Sequence, residues 1–426
     1  MDIAVVKANG KDELELFAQL SKRSGEVSEQ VETAVRGIIA DVKNRGDEAV
    51  KEYTLRFDGC LPERICIERS ELESIARGCE PKLLAALERA CENIRDYHSR
   101  QVRQGFVTAK ENGVMLGQKI RGLNRVGIYV PGGTAAYVSS VLMNAIPARI
   151  AGVNEIIMGT PPGKASVDVL TGAYLAGVDR VYLVGGAQAV AALAFGTGQI
   201  PKVYKIVGPG NIYVATAKKQ LFGVVDIDMI AGPSEVLIIA DGGANPCYLA
   251  ADMMSQAEHD PLSSAILLTT SEQVAKQTVA ELERQAQDLS RVDIIRKSLK
   301  DFGAVVICDS LDQAIDYANR LAPEHLELMT ENPLEHLGRV ENAGSIFAGE
   351  YTPEPLGDYY AGPNHVLPTG GTARFFSPLS VDSFVKKSSF IYYTRDALQQ
   401  AGEDVIAIAN AEGLTAHANA IKVRMP

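Results

Sequence analysis

Features typical of secreted, membrane-spanning and nucleic-acid-binding proteins are missing from this sequence. The six cysteines include no Cys-x-x-Cys pair, so in a chain of 426 residues we expect free thiols and a reducing compartment. No stretch approaches the roughly 20 apolar residues that cross a bilayer, and residues 1–7 (MDIAVVK) lack a signal-peptide pattern. No Lys/Arg-rich run is present and the net charge is −11, which disfavours nucleic acid as a partner. We therefore expect a cytoplasmic protein that binds neither membranes nor nucleic acid.

The length and composition predict more than one hydrophobic core. With 426 residues, of which 46% are hydrophobic, the chain exceeds the ~250–300 residues at which single cores stop growing. Apolar residues at helical spacing predict one helix over 31–42 and another from Pro81 to about Ile94. We therefore expect the first hundred residues to be mainly helical.

From about Val126 onward, short β-branched runs alternate with Ala-rich helical stretches. The predicted strands are 126–130, 155–159, 181–184, 205–207, 235–240, 265–270, 304–308 and 345–348. This alternation is typical of α/β proteins, in which right-handed crossovers connect the strands of parallel sheets. No internal repeat or low-complexity linker marks a domain boundary.

Glycine turns follow three of the predicted strands, at 132–133, 185–186 and 208–210. The amino end of a helix offers free N–H groups and a partial positive charge, and glycine lets a phosphate approach the backbone closely. However, the complete G-x-G-x-x-G fingerprint of dinucleotide-binding folds is absent from the sequence. At this point dinucleotide binding and ordinary strand-to-helix turns remain alternative interpretations.

Two pairs of polar residues are candidates for chemistry. Gln256 and His259 are three residues apart, so on a helix they share a face from which both could bind a metal. Glu324 and His325 are adjacent and could both move protons near neutral pH. Neighbouring side chains on a strand point to opposite faces, so a loop or helix end is needed for this pair to serve one site. Each pair alone is also compatible with an ordinary structural role.

Two later segments carry further candidates. The Gly- and Pro-rich stretch 355–365 indicates an ordered loop, and it contains Asp358 and His365. Glu412 and His417 lie in an Ala-rich segment that is expected to be helical. Ordinary turn chemistry and a solvated helix face are the alternative interpretations of these two segments.

Taken together, five segments of this sequence resemble the histidinol dehydrogenase family. The most specific are 226–235 (DIDMIAGPSE) and 255–259 (SQAEH). The segments 208–211 (GPGN), 321–326 (LAPEHL) and 362–368 (GPNHVLP) are also similar to motifs of that family. The resemblance extends over nearly the whole chain.

The resemblance implies a role for each candidate residue. One zinc ion per subunit would be bound by Gln256, His259, Asp358 and His417. Glu324 and His325 would form an acid–base pair. NAD would contact Tyr129, Gln188 and Asn211. The substrate would contact the zinc ligands and His325, together with Ser234, Glu354, His365 and Glu412.

The resemblance also implies an architecture of two intertwined α/β/α domains with incomplete Rossmann-like parallel sheets. We expect an N-terminal segment over 1–23 and a main domain, carrying the zinc and catalytic residues, over 24–127 and 236–379. An inserted α/β domain with the NAD contacts would cover 128–235. The C-terminal helical arm, 380–426, would be exchanged in a homodimer, so that Glu412 and His417 complete the site of the partner.

The reaction implied by the resemblance is the four-electron oxidation of L-histidinol, through L-histidinaldehyde, to L-histidine. This zinc-dependent, NAD-linked reaction is the last step of histidine biosynthesis. Three alternatives remain at this stage: a related zinc/NAD dehydrogenase of another primary alcohol such as a hydroxylated sulfonate, a zinc hydrolase, and a non-catalytic protein. A sulfonate would be expected to need cationic neighbours, whereas Glu354 and Glu412 are acidic.

Overall fold

A computed structural model describes residues 2–20, 28–132 and 137–425 of the chain. The strands are β1 (Ala4–Lys7), β2 (Cys66–Glu68), β3 (Phe106–Ala109), β4 (Met115–Gly122), β5 (Arg125–Tyr129), β6 (Glu155–Thr160), β7 (Arg180–Leu183), β8 (Lys205–Val207), β9 (Asp226–Ile227), β10 (Glu235–Ala240), β11 (Ser264–Thr269), β12 (Gly303–Ile307), β13 (His325–Met329), β14 (Ser345–Ala348) and β15 (Val385–Tyr392). The helices are α1 (Asp12–Leu20), α2 (Glu29–Arg45), α3 (Asp47–Asp58), α4 (Arg69–Ala76), α5 (Pro81–Ser99), α6 (Val138–Ile150), α7 (Val167–Ala176), α8 (Gly186–Phe195), α9 (Ile212–Leu221), α10 (Pro246–Ala257), α11 (Glu272–Gln285), α12 (Val292–Phe302), α13 (Leu311–Leu321), α14 (Glu354–Tyr359), α15 (Arg395–Ala411) and α16 (Thr415–Lys422).

The strands form two six-stranded sheets and one small antiparallel sheet. The first sheet has the order β1-β12-β11-β10-β13-β14 and is parallel throughout. The second has the order β2-β7-β6-β5-β8-β9 and is parallel except for β2. The predicted α/β class is therefore confirmed, and each of the eight predicted strands coincides with an observed one.

Helices cover both faces of the first sheet. On β10, Val236 and Ile238 point into a core formed with α10, α11 and α12. Leu237 and Ile239 alternate with them and pack in a second core, together with residues of α1 and α13. This alternation explains why β10 is a continuous apolar run, as expected of a strand that is buried on both faces.

Helices also cover both faces of the second sheet. Val126 and Ile128 of β5 pack with α4, α5, α6 and α7 on one face. Tyr129 and Ile157 contribute to the other face, where α2, α3, α8 and α9 lie. Each sheet with its helices is therefore a three-layered α/β/α unit.

The division of the chain between these two units differs from the predicted domain boundaries. Residues 24–127 were assigned to the main domain with 236–379, but the described helices α2 to α5 pack on the second sheet. The predicted N-terminal segment over 1–23 contains β1, which pairs with β12 as an edge strand of the first sheet. An amphipathic pattern reveals that a helix has an apolar face, but does not encode which sheet covers that face.

Helix α1 is held to the first unit by a buried carboxylate. The hydroxyl of Tyr317 donates to Glu13 at 2.6 Å, and the backbone N–H groups of Asn9 and Gly10 donate at 3.0 and 2.8 Å. Burial alone would raise the pKa of Glu13, but these hydrogen bonds outweigh it and lower the pKa to about 2. The ionised carboxylate therefore ties the start of the chain to α13.

The C-terminal arm begins in the small sheet and ends in two helices. Strand β15 pairs with β4 in antiparallel register, from Val385 opposite Gly122 to Tyr392 opposite Met115. Helices α15 and α16 then pack mainly on each other through a small core. Within the described ranges, no helix is both long and apolar enough to span a membrane.

Candidate active site between the two units

The predicted acid–base pair, Glu324 and His325, lies at the start of β13, where both side chains contact the backbone of one residue, Glu235. Glu235 donates its N–H to Glu324 Oε2 at 2.9 Å, and its carbonyl oxygen lies 3.0 Å from His325 Nδ1. Ala322 ends α13 with φ 51°, the one positive φ outside glycine among the described residues, and turns the chain into Pro323. The predicted requirement for a loop is met, because Glu324 precedes the strand and His325 is its first residue.

The surroundings of His325 leave it neutral and able to accept a proton. Because Nδ1 faces the carbonyl of Glu235, it carries the hydrogen, and Nε2 is buried without a hydrogen-bond partner in the part of the chain described. Burial lowers the pKa of His325 to about 4. Burial, together with the negative charge of Glu235, raises the pKa of Glu324 well above its usual value. The pKa values of these two neighbouring residues are thus shifted in opposite directions.

Two of the four predicted metal ligands, His259 and Asp358, come together with Glu354 beside this pair. His259, Glu354 and Asp358 each place a ligand atom within 4.8 Å of the others. Gln256, in the last turn of α10, is 1% exposed, and both atoms of its amide lack partners among the described residues. Buried amides are normally hydrogen-bonded, so this orphaned side chain fits a metal ligand. The nitrogen and oxygen donors suit zinc and other divalent cations.

The predicted substrate residues Glu354 and His365 adjoin the same cluster. Glu354 Oε1 and Asp358 Oδ1 each lie 4.0 Å from His325 Nε2. His365 Nδ1 lies 3.1 Å from the backbone oxygen of Asp358. A cavity of about 100 Å³ is lined by His325, Asp358 and His365. Ser234, the other predicted contact in this part of the chain, directly precedes Glu235 and is half-buried.

The loop that carries these residues packs against helices of the second unit. Asn364 donates from Nδ2 to the carbonyl of Met143 in α6 at 2.6 Å. Asn93 in α5 donates to the carbonyl of Tyr360 at 2.9 Å. The site therefore lies where the two α/β units meet, a common place for ligand pockets.

Glu412 and His417 are the two predicted site residues that the single chain does not bring to the cluster. Both are exposed in the arm, Glu412 at the end of α15 and His417 in α16. His417 is absent from the metal-ligand group formed within the described residues. Their assignment to the site therefore stays a prediction that requires a second subunit.

Sequence reasoning overlooked two buried acids next to the cluster. Asp252 and Glu327 are both buried, and Glu327 Oε1 accepts the backbone N–H of Glu354 at 3.0 Å. Burial raises the pKa of Asp252 to about 7, and that of Glu327 well above its usual range. Asp252 lies four residues before Gln256 and therefore shares its face of the helix. Glu327 lies two residues after His325 and therefore shares its face of the strand. These spacings are a signal in the sequence that could have revealed both acids.

The predicted NAD contacts lie together at the carboxyl edge of the second sheet. Tyr129 ends β5, and its hydroxyl accepts the N–H of Gly186 at the start of α8 at 3.0 Å. Gln188 is 1% exposed, with both amide atoms unpartnered within the described ranges, and Thr160 Oγ1 is likewise orphaned. Asn211 caps α9. Orphaned buried groups at this edge fit a bound cofactor.

One of the three predicted glycine turns lies partly outside the described residues, because Gly133 belongs to the segment 133–136. The turns at 185–186 and 208–210 both connect a strand to a helix, as predicted. Gly186 has φ 67° and Gly208 has φ 108°, conformations that favour glycine.

Comparison with known proteins agrees with these observations. The family model described as histidinol dehydrogenase matches residues 21–425. Histidinol dehydrogenase of Clostridium acetobutylicum is 54% identical over 99% of both chains, and that of Geobacter sulfurreducens is 53% identical over 96% of both. The crystal structure of histidinol dehydrogenase from Elizabethkingia anophelis superimposes with a TM-score of 0.92 at 38% identity, covering 99% of this chain and 98% of that one. The chain therefore belongs to the histidinol dehydrogenase family, whose members are NAD-dependent oxidoreductases.

Proposed function

We propose that this protein oxidises L-histidinol to L-histidine, the last step of histidine biosynthesis, in the cytoplasm with zinc and NAD. The observation that carries the proposal is the buried, neutral His325, whose free Nε2 faces the carboxylates of Glu354 and Asp358. A proton acceptor beside a ready set of metal donors suits the metal-assisted oxidation of an alcohol. The identity of the substrate is inferred from membership of the histidinol dehydrogenase family.

The acidity of the cluster supports a bound cation. Burial and the charge of Asp358 raise the pKa of Glu354 to about 8, and burial raises the pKa of Asp358 to about 6. Two buried carboxyl groups so close together repel each other as anions, and a divalent ion would relieve this repulsion. When bound, zinc would polarise the carbinol oxygen, and NAD would accept a hydride in each of two oxidations.

The residues of the chain have separable roles in these oxidations. His325 accepts the hydroxyl proton at Nε2, while the carbonyl of Glu235 holds its Nδ1–H and fixes the ring. Glu324 then takes a proton from water as the water adds to the aldehyde. After His325 has released its first proton to solvent, the resulting hydrate is oxidised to the carboxylate with His325 again taking a proton. Glu354 suits the positively charged amine of the substrate.

The homodimer is part of the proposal. The chain by itself brings His259 and Asp358 together and leaves the buried amide of Gln256 without a partner within the described residues, and His417 of a second subunit would complete the proposed ligand set. Apolar residues are exposed along the arm, with Ile408 62% and Val423 67% exposed. An arm that presents apolar surface to solvent is well suited to cover a partner.

The alternatives are less well supported by the site. A sulfonate substrate would meet the carboxylates of Glu354 and Asp358 instead of cations. A zinc hydrolase would have no use for the orphaned Gln188 at the carboxyl edge of the second sheet. Neither alternative is favoured by a specific contact.

The direct test measures product stoichiometry. Zinc-loaded protein is incubated with L-histidinol and excess NAD, and NADH and histidine are quantified at completion with and without a chelator. We expect two NADH per histidine, loss of the reaction with chelator and recovery with added zinc. A folded, zinc-loaded protein that forms no NADH would overturn the substrate assignment, and other alcohols and then hydrolysis would be assayed.

A further inference from the structure

The motif 226–235 contains an aspartate that the proposed chemistry does not use. Asp228 forms an ion pair with Lys218 of α9, and the two side chains are only 2% and 4% exposed. Removing two opposite charges from water is costly and is often no more stabilising than apolar packing. A buried pair at this position therefore calls for an explanation beyond stability.

Both partners of this pair also bind the same backbone residue. Lys218 Nζ donates to the carbonyl of Gly208 at 2.9 Å. Asp228 Oδ2 accepts the N–H of Gly208 at 2.8 Å. The donor and the acceptor of one peptide residue are thus both held by the ion pair, which we name the Gly208 clamp (Lys218, Asp228 and Gly208).

The clamped residue belongs to the turn that carries a predicted NAD contact. Gly208 has φ 108°, and a Cβ at this position would overlap the carbonyl oxygen of Tyr129. Three residues later, Asn211 Oδ1 accepts the N–H groups of Tyr213 and Val214, each at 3.1 Å, and so begins α9. Because Lys218 lies on that same helix, the clamp ties the start of the turn to α9 and to the segment that follows β9.

The clamp is also joined to the acid–base pair by a short connection. Asp228 directly follows β9 of the second sheet, and segment 228–234 leads to Glu235, the first residue of β10 in the first sheet. The backbone of Glu235 binds both Glu324 and His325. One segment therefore contacts the predicted cofactor turn at one end and the proton-transferring residues at the other.

We propose that Lys218 and Asp228 are positioning residues, which hold the Gly208 turn and Asn211 in the conformation that binds NAD. This inference rests on the proposed use of NAD. Loosening the turn lowers the fraction of protein that is competent to bind, and the apparent Kd rises by the reciprocal of that fraction. Zinc ligation, which uses residues in and after α10 and in α14, is not affected.

The test compares variants that differ in whether they touch the turn. Asp228→Asn keeps the shape of the side chain, Lys218→Met removes the donor to Gly208, and the double variant removes both charges together. Asp226→Asn is the matched control, because Asp226 also pairs with a buried lysine, Lys205, at 2.9 Å. Thermal melting first establishes that each full-length variant is folded.

NAD affinity is measured by titration calorimetry of the zinc-loaded protein without substrate. We expect the Kd for NAD to rise about tenfold or more in Lys218→Met and Asp228→Asn, and to stay within about twofold in Asp226→Asn. The KM for NAD should rise in parallel, with zinc content unchanged. Hydrogen exchange at the amide of Gly208 should be faster in the clamp variants than in the control.

Three results would overturn the proposal. Folded clamp variants with an unchanged Kd for NAD would reduce the ion pair to a structural role. An equal loss of NAD affinity in Asp226→Asn would indicate a general effect of charge removal on the second α/β unit. If the unmodified protein binds no NAD, the proposed use of NAD fails and the clamp proposal fails with it. If the unmodified protein binds NAD and the clamp variants bind it equally well, only the clamp proposal fails.

Discussion

Replacement of Glu324 by Gln should separate the two oxidations of the proposed reaction. The side chain is 6% exposed, and its Oε2 accepts the N–H of Glu235 at 2.9 Å. Glutamine has the same shape, and its amide oxygen can accept the same hydrogen bond, so the fold and the position of His325 should persist. What the variant lacks is a group that can take a proton from water.

The magnitude follows from the role of each residue. A positioned general base contributes about 10²–10⁴-fold, which corresponds to about 3–5 kcal/mol of barrier. Only the aldehyde step needs water activation, so aldehyde oxidation in Glu324→Gln should slow by about 10²–10⁴-fold. Alcohol oxidation depends on His325 and should slow by less than about tenfold.

The assay follows each half-reaction separately. NADH formation is measured in a single turnover with L-histidinol and, in parallel, with L-histidinaldehyde as the supplied substrate. Glu327→Gln serves as the control, because it removes another buried carboxyl group, from the strand that directly follows Glu324, and should leave the ratio of the two rates unchanged. Equal losses in both half-reactions of Glu324→Gln would refute the assigned role.

Three further predictions concern the arm, the N-terminal contact and the buried ion pair. His417→Asn should lower the zinc content measured by metal analysis. Mixing this variant with inactive His259→Asn subunits should restore about a quarter of the activity, because half of the randomly formed dimers contain one intact site out of two. Heterodimers that form without any recovery of activity would refute a shared site. Because folding lowers the pKa of Glu13 from 4.5 to about 2, its contribution is present above pH 4.5 and is lost as the pH falls toward 2; Glu13→Gln should reduce the free energy of unfolding at pH 7 by about 1–2 kcal/mol and flatten that pH dependence in denaturant titrations. Lys218→Met should cost about 3–5 kcal/mol in the same assay by leaving the Asp228 charge buried alone, and the double variant with Asp228→Asn should cost markedly less; equal costs would contradict the pairing.

Some strands were invisible in the sequence for identifiable reasons. The apolar run of strand β13 is interrupted by Glu327, which is buried. In the sequence alone, an acidic residue predicts an exposed position, so the run is not recognised as a buried strand. Strands β3 and β15 are largely exposed, so they lack the buried run that revealed the central strands. Strand β1 has only four residues and becomes a strand by pairing with β12, nearly 300 residues away.

The sequence by itself determined the α/β class, eight strands of the two large sheets and the residue types of the site. Those features are local, because an apolar run, a glycine turn or a spacing of three residues is encoded within a few neighbouring positions. The shared motifs also predicted one functional group formed by Gln256, His259, Asp358 and Glu324, of which the structure brings His259 and Asp358 together.

Only the tertiary structure decided which sheet the helices α2 to α5 cover, and how His325 is protonated. The first depends on long-range packing, because an apolar helix face can be covered by any apolar surface. The second depends on burial and on the carbonyl of Glu235, which is 90 residues distant in the chain. Burial and long-range contacts arise only when distant segments meet, and these contacts set the chemistry of the residues that the sequence had already named.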